Sequence, residues 1–149
     1  MRHHTKDKGD SGVGFVIADL LSKNIQVALP VSEHLPFDCI AISEDNRLCR
    51  LSVKYRKVDK GMVSVAFRSI WNDKHGCHIR PQDKKLFDAT AIYCPDTKGC
   101  YYIRNEEVEG VSFVLRTEAP HNGQVLGVRM ASRYQDPKRL FAEAANPLG

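Results

Sequence analysis

The 149-residue sequence predicts an α/β domain, and three observations carry that prediction. Val13, Val16, Ile17, Leu20 and Leu21 recur at three- and four-residue steps, the apolar stripe of an amphipathic helix. The middle of the chain is a succession of short β-branched and aromatic runs divided by turn residues. Near the end, "DPKRLFAEAA" offers Asp136 as an N-cap and Pro137 at the first helical position, which predicts a short terminal helix.

The elements follow in order. Asp10 is expected to open the first helix, which ends near Asn24. "IQVALP" reads as a short strand, "FDCIAIS" as a second and "LCRLSVKYRKV", after the turn "EDNR", as a third. After "DKG" the run "MVSVAFRSIW" reads as a fourth. Residues 72–85, "NDKHGCHIRPQDKK", are polar and basic without a period and are expected to form a loop. "FDATAIYC" and "CYYIR" make a hairpin across "PDTKG", and "VSFVLR" adds a further strand. At 42% hydrophobic residues, the chain is expected to fill one domain, residues 1–149, with a core of two or three layers.

Composition excludes several classes. No apolar run approaches the roughly 20 residues of a membrane span, and "MRHHTKDKGD" lacks the apolar segment of a secretory signal, so a cytoplasmic protein with no membrane partner is expected. The five cysteines, at 39, 49, 77, 94 and 100, show no paired CxxC spacing, which points to reduced, packed thiols. The net charge of +4 suits a polyanion partner without requiring one.

Chemistry concentrates in "LPFDCIAISEDNRLCRLSVKYRK". Alternation puts Ser52, Lys54 and Arg56 on one face of the third strand and Leu51, Val53 and Tyr55 on the other. If the second and third strands pair through "SEDNR", Asp38 and Lys54 meet in space. A buried ion pair is weak evidence for stability, because desolvating both charges offsets their attraction. A catalytic use explains the pair better: a carboxylate can hold Mg²⁺ while a lysine orients or deprotonates water and stabilises charge building on phosphorus.

Pro36-Phe37-Asp38, thirteen residues, then Ser52-Val53-Lys54 resembles the PD-(D/E)XK nuclease motif. "TKDKGDSGVGFVIADLLSKN", "LPVSEHLPFD", "VKYRK" and "FDATAIYCPDTKGCYYI" extend the resemblance over about residues 5–104. They look like the small PD-(D/E)XK homing endonucleases associated with group I introns, of the cyanobacterial transfer-RNA intron type. The resemblance implies a restriction-endonuclease-like core, a mixed central β-sheet flanked by helices. It also implies a homo-oligomer, a tetramer, that cuts double-stranded DNA at an intron insertion site with Mg²⁺. Carried onto this chain, Asp38 is the metal ligand, Lys54 the catalytic lysine and Ser52 the third residue of the motif. Two positions depart from the pattern. Ser52 stands where the motif has Asp or Glu, often Gln in intron enzymes, and Val13 stands where the family carries an acid on the first helix. Asp10 is the nearest substitute ligand, ahead of Glu33, although Asp10 also reads as a helix N-cap. Two alternatives stay open: a junction resolvase that reads DNA shape, and a nuclease-like fold that only binds DNA.

Arg56, Lys57 and Lys60 continue from Lys54 and supply cations where flanking phosphates must sit. A second candidate DNA contact comprises Lys74, His75, His78, Arg80, Gln82, Lys84 and Lys85, with Arg and Gln suited to guanine and adenine edges. His75, Cys77 and His78 with Cys94 or Cys100 match no regular zinc module. Cys39 lacks any nucleophile signature, and His3 and His4 read as a mobile terminus.

Overall fold

A five-stranded sheet positions everything else. The computed structural model describes residues 4–142. It begins with α1 (His4–Ser22), β1 (Gln26–Ala28), β2 (Cys39–Ile42), β3 (Leu48–Tyr55) and β4 (Met62–Ala66). There follow β5 (Arg68–Asp73), β6 (Gly76–Pro81), β7 (Ala89–Cys94), β8 (Gly99–Arg104) and β9 (Ser112–Arg116). The sheet runs β1-β2-β3-β7-β8, with β3 and β7 parallel and the other neighbours antiparallel. It is therefore mixed, with the lysine-bearing β3 at its centre.

Two apolar layers cover this sheet. On one face Val16 and Leu20 of α1 pack with Leu51, Ala89, Ala91 and Tyr102. On the other, Ile92, Tyr101 and Ile103 meet Val63 and Val65 of β4 and Phe113 and Leu115 of β9, which pair antiparallel as a small second sheet. Covered on both sides, β7 buries all of its residues, as parallel strands generally do. The flanking layers are thus one α-helix and one two-stranded sheet, and the remaining helical pieces are 3-10 turns at Asn105–Glu107, Ala131–Tyr134 and Pro137–Phe141. Among the described residues no helix is long and apolar enough to cross a membrane.

Several sequence expectations need correction. The helix opens at His4, so Asp10 is interior rather than an N-cap; Asp7 lies in the first turn, where a carboxylate complements the helix dipole. His4 therefore belongs to the helix, while His3 falls outside the described residues. The buried stripe is Gly12, Val16 and Leu20, with Leu21 half exposed. Gly12 faces β3, where a Cβ would sit 3.6 Å from Tyr55 Cβ and Val53 Cγ1, an ordinary packing distance. The run "MVSVAFRSIW" breaks at Phe67 into β4 and β5, which join different sheets. The expected loop over 72–85 instead contains β6, which pairs with β5 in a ribbon.

The terminal helix is a 3-10 turn capped as expected, with Asp136 Oδ1 accepting from Lys138 N–H at 3.0 Å; its proposed end lies outside the described residues. All five cysteines are free thiols, and Cys94 and Cys100 are buried in the two opposite cores.

The C-terminal segment folds back on the sheet. Arg139 donates to both Glu107 oxygens at 2.6 and 2.8 Å and to the Tyr102 carbonyl at 2.7 Å, and its guanidinium stands 4.3 Å from the Tyr134 ring centroid. Losing it removes both guanidinium bonds from the half-buried Glu107 carboxylate, which keeps the Arg104 N–H at 2.8 Å, and takes the guanidinium donor from the Tyr102 carbonyl. Arg139→Ala should lower stability by about 2 kcal/mol. Lys138→Ala, at the exposed neighbouring position, should stay within about 0.5 kcal/mol; urea midpoints measure both.

Candidate active site

Two Phe-Asp pairs, Phe37-Asp38 and Phe87-Asp88, introduce the strands on either side of β3. Asp88 accepts from Arg50 N–H at 2.8 Å and from the Arg50 guanidinium at 3.1 Å through each oxygen, while its own N–H donates to Arg50 O at 2.9 Å. The hydrogen-bonded guanidinium holds the Asp88 carboxyl below the ordinary carboxylate range. Asp38 does the corresponding work on the other side. Its N–H donates to Leu51 O at 2.8 Å, and its Oδ2 accepts from Val53 N–H at 2.7 Å. The sequence reading passed over Asp88, although the repeated Phe-Asp ahead of "CIAI" and "ATAI" was a visible signal.

Asp38 opens into a cleft of about 400 Å³ shared with Lys6, Asp10 and Val13 of α1 and with Glu33 and Phe37. Asp10 and Val13, three apart, lie on one helix face. The structure thus brings Asp38, Asp10 and Glu33 to one cleft, with the apolar Val13 between helix and carboxylate. Lys54 is placed by the backbone. Because Asp38 Oδ2 touches Val53 N–H, standard bond lengths keep the Lys54 Cα within about 8 Å of that oxygen. The direct Asp38–Lys54 contact expected from the hairpin does not form: the carboxylate turns onto the Val53 amide instead. Ser52 is buried beside Thr90 in the β3–β7 register, and neither Ser52 nor Lys54 is among the residues that line the cleft. The Thr90 hydroxyl is itself buried without a hydrogen-bond partner.

The donors fit a hard cation. Asp38 spends one hydrogen bond on Val53 and keeps its other oxygen for a ligand, and all the cleft acids are oxygen donors. Among the described residues no three His, Cys, Asp or Glu side chains stand close enough to hold an ion alone. Cys39 is fully buried; burial, followed by the Asp38 charge, pushes its thiol up to about 12, so it stays neutral and unreactive.

The basic candidates fall into separate places. Arg56 and Lys57 lie just beyond β3, whereas Lys60 lines a different groove. Lys74 and His75 form the exposed turn of the β5–β6 ribbon and Arg80 lies on β6. Gln82 N–H donates to Phe67 O at the ribbon base, and the Lys84 ammonium is tied to Val108 O at 2.7 Å.

With this geometry established, comparison with known proteins is informative. The family described as PD-(D/E)XK endonuclease matches residues 3–137. The fold is similar to the solved structure of a bacterial homing endonuclease, I-Ssp6803I, with a TM-score of 0.73, 20% sequence identity and 93% coverage of each chain. No curated protein sequence matches.

Two measurements follow from the paired aspartates. Asp38→Asn retains an oxygen for Val53 N–H and should leave the urea midpoint nearly unchanged, whereas Asp38→Ala should cost about 1–2 kcal/mol. Asp88, with its carboxyl held low in the fold, contributes stability that is present above the unfolded value of 3.8 and is lost as pH falls through the folded one. The stability gap between wild type and Asp88→Ala should therefore be constant above about pH 5 and narrow below pH 4. A gap that stayed constant down to pH 2 would contradict this.

Proposed function

We propose that this chain, which belongs to the PD-(D/E)XK endonuclease family, is a homing endonuclease that hydrolyses double-stranded DNA with Mg²⁺ at an intron insertion site. One observation carries the reading: Asp38 is locked to the β3 backbone one residue before Lys54, at the mouth of a cleft that also holds Asp10. In this reading Asp38 and Asp10 hold the Mg²⁺, which supplies positive charge to the scissile phosphate and makes a bound water more acidic. Lys54 orients the attacking water and neutralises charge gathering on the phosphate oxygens. Ser52, buried and neutral, adds no charge, so the helix acid one turn before Val13 takes on more of the ligand role.

The β5–β6 ribbon supports the reading of sequence. Every one of its residues with a defined exposure is at least partly exposed, and a two-stranded ribbon has the width of the DNA major groove. On one face Trp71 and His78 stack at 5.2 Å and His78 pairs with Asp73 at 2.9 Å, next to Arg80 on the same face. Lys74 and His75 at the turn reach phosphates, and Arg80 with Gln82 addresses base edges. Two sites are needed to cut both strands, so the chain works as a symmetric oligomer, a tetramer in this reading. A rival reading, a DNA binder that does not cut, draws on the burial of Ser52 away from the cleft.

Cleavage of plasmids carrying intron insertion sequences, with and without Mg²⁺, separates the two. Discrete Mg²⁺-dependent cutting should fall at least about 100-fold in both Lys54→Ala and Asp38→Asn, while duplex binding persists. Metal-independent binding with no cutting would favour the binder, and preference for four-way junctions over linear duplex would replace the homing reading with a resolvase.

A further inference from the structure

A second basic concavity lies away from the carboxylate cleft. The outer face of β9 and the segment after it enclose a groove of about 410 Å³ lined by Lys60, Arg116, His121, Asn122, Gln124 and Arg129 among others. No Asp or Glu contributes to that lining. Two acids stand close by without lining it: Asp59 precedes Lys60 in the chain, and Glu118 lays its side chain over Gly61.

The walls are built rather than loose. Arg116 N–H donates to Arg129 O at 2.7 Å, and Thr117 donates to Gly61 O through its N–H at 2.9 Å and its hydroxyl at 3.0 Å. Arg129 is steadied by its guanidinium, 4.4 Å from the Phe113 ring centroid. Asn122 Oδ1 accepts from Gln124 N–H at 3.0 Å, so its amide NH₂ remains a donor. Two anchored guanidiniums, the exposed Lys60 and amide donors, with no carboxylate lining the groove among the described residues, make a site for phosphate oxygens.

We infer that this groove is a second binding surface for the DNA backbone, flanking the cut site. The inference rests on the nuclease reading above and adds to it a specific surface from the part of the chain after β8. Its distance from the chemistry is bounded by the chain itself. Lys60 lies six steps along the chain from Lys54, so their Cα atoms are at most about 22 Å apart. Phosphates recur about every 3.4 Å along one strand. A duplex with its scissile phosphate in the carboxylate cleft therefore offers phosphates to the groove within about six base pairs. Lys54, Arg56, Lys57 and Lys60 follow one another along the chain between the two, interrupted by Asp59.

The test measures duplex affinity against salt, using the full chain with Ca²⁺ in place of Mg²⁺ and a duplex of about 30 base pairs. Removing two groove cations, Lys60→Gln with Arg116→Gln, should weaken binding about 10-fold or more and reduce the magnitude of the log–log salt slope by about 2. Arg133→Gln, an exposed cation outside the groove, serves as the control and should change the slope by less than half as much. Because Arg116 also bonds Glu118 O, His121→Glu provides a second route: it adds negative charge to the groove without removing any such bond and should also weaken binding. Affinity and slope matching wild type in both the double variant and His121→Glu, each with an unchanged melting midpoint, would overturn the groove assignment alone. A wild-type chain that binds no duplex would overturn the nuclease reading along with it.

Discussion

The fold and its site depend on how two aspartates hold β3. A strand's side chains alternate with a period of two, so a one-residue slip of β3 would turn Ser52 and Lys54 onto α1 and send Leu51 and Val53 to the opposite side. Parallel pairing gives no short hairpin to prevent this, and the connection from β3 to β7 passes through β4 and the whole ribbon. Asp88 fixes the register at one point by taking the Arg50 amide and guanidinium together. Asp38 fixes it from β2 by taking the Val53 amide. The carboxylate that faces the cleft is therefore also a register pin, and positioning the site and folding the sheet are one problem with one solution.

This explains how a charged residue comes to stand in a central strand. β7, next to β3, is covered on both faces, whereas the end of β3 that carries Lys54 is only partly covered. Leu51, Val53 and Tyr55 provide the apolar side for α1, which packs on it through Gly12, Val16 and Leu20. The polar side emerges beyond Ser52. Lys54 is therefore half-buried at the partly covered end of β3, which avoids the full cost of burying an ammonium.

What was legible in the sequence was what periodicity encodes. The alternating runs located β2, β3, β7, β8 and β9, and the Asp136-Pro137 cap located the last turn, because local chemistry determines both. The ribbon escaped because it is exposed on both faces: with no core side, β5 and β6 carry no alternation of buried and exposed residues to read. The break at Phe67 was hidden for the opposite reason, since β4 is held by β9, some fifty residues later, and nothing local signals that partner. For the site, a hairpin argument brought Asp38 to β3 but paired it with the wrong group, because the sequence does not show that a side chain will replace a ladder carbonyl. That Asp10 and Val13 share the cleft with Asp38 depends on how α1 lies across the sheet, which no local pattern encodes.

Under the proposed function, the missing acid at Ser52 has a thermodynamic consequence. One anchored carboxylate and one helix acid hold a divalent ion less strongly than a full set of carboxylates, so substrate phosphate must complete the coordination. An ion partly held by DNA is linked to it: whatever factor DNA adds to metal affinity, metal must add to DNA affinity. The ribbon and the strand exit carry their cations outside the carboxylate cleft, so duplex binding does not wait for metal. Affinity and chemistry are then supplied by different surfaces. The enzyme can search DNA with its basic surfaces while the cleft stays poorly charged, and it acquires a competent metal site only where a phosphate is delivered into it.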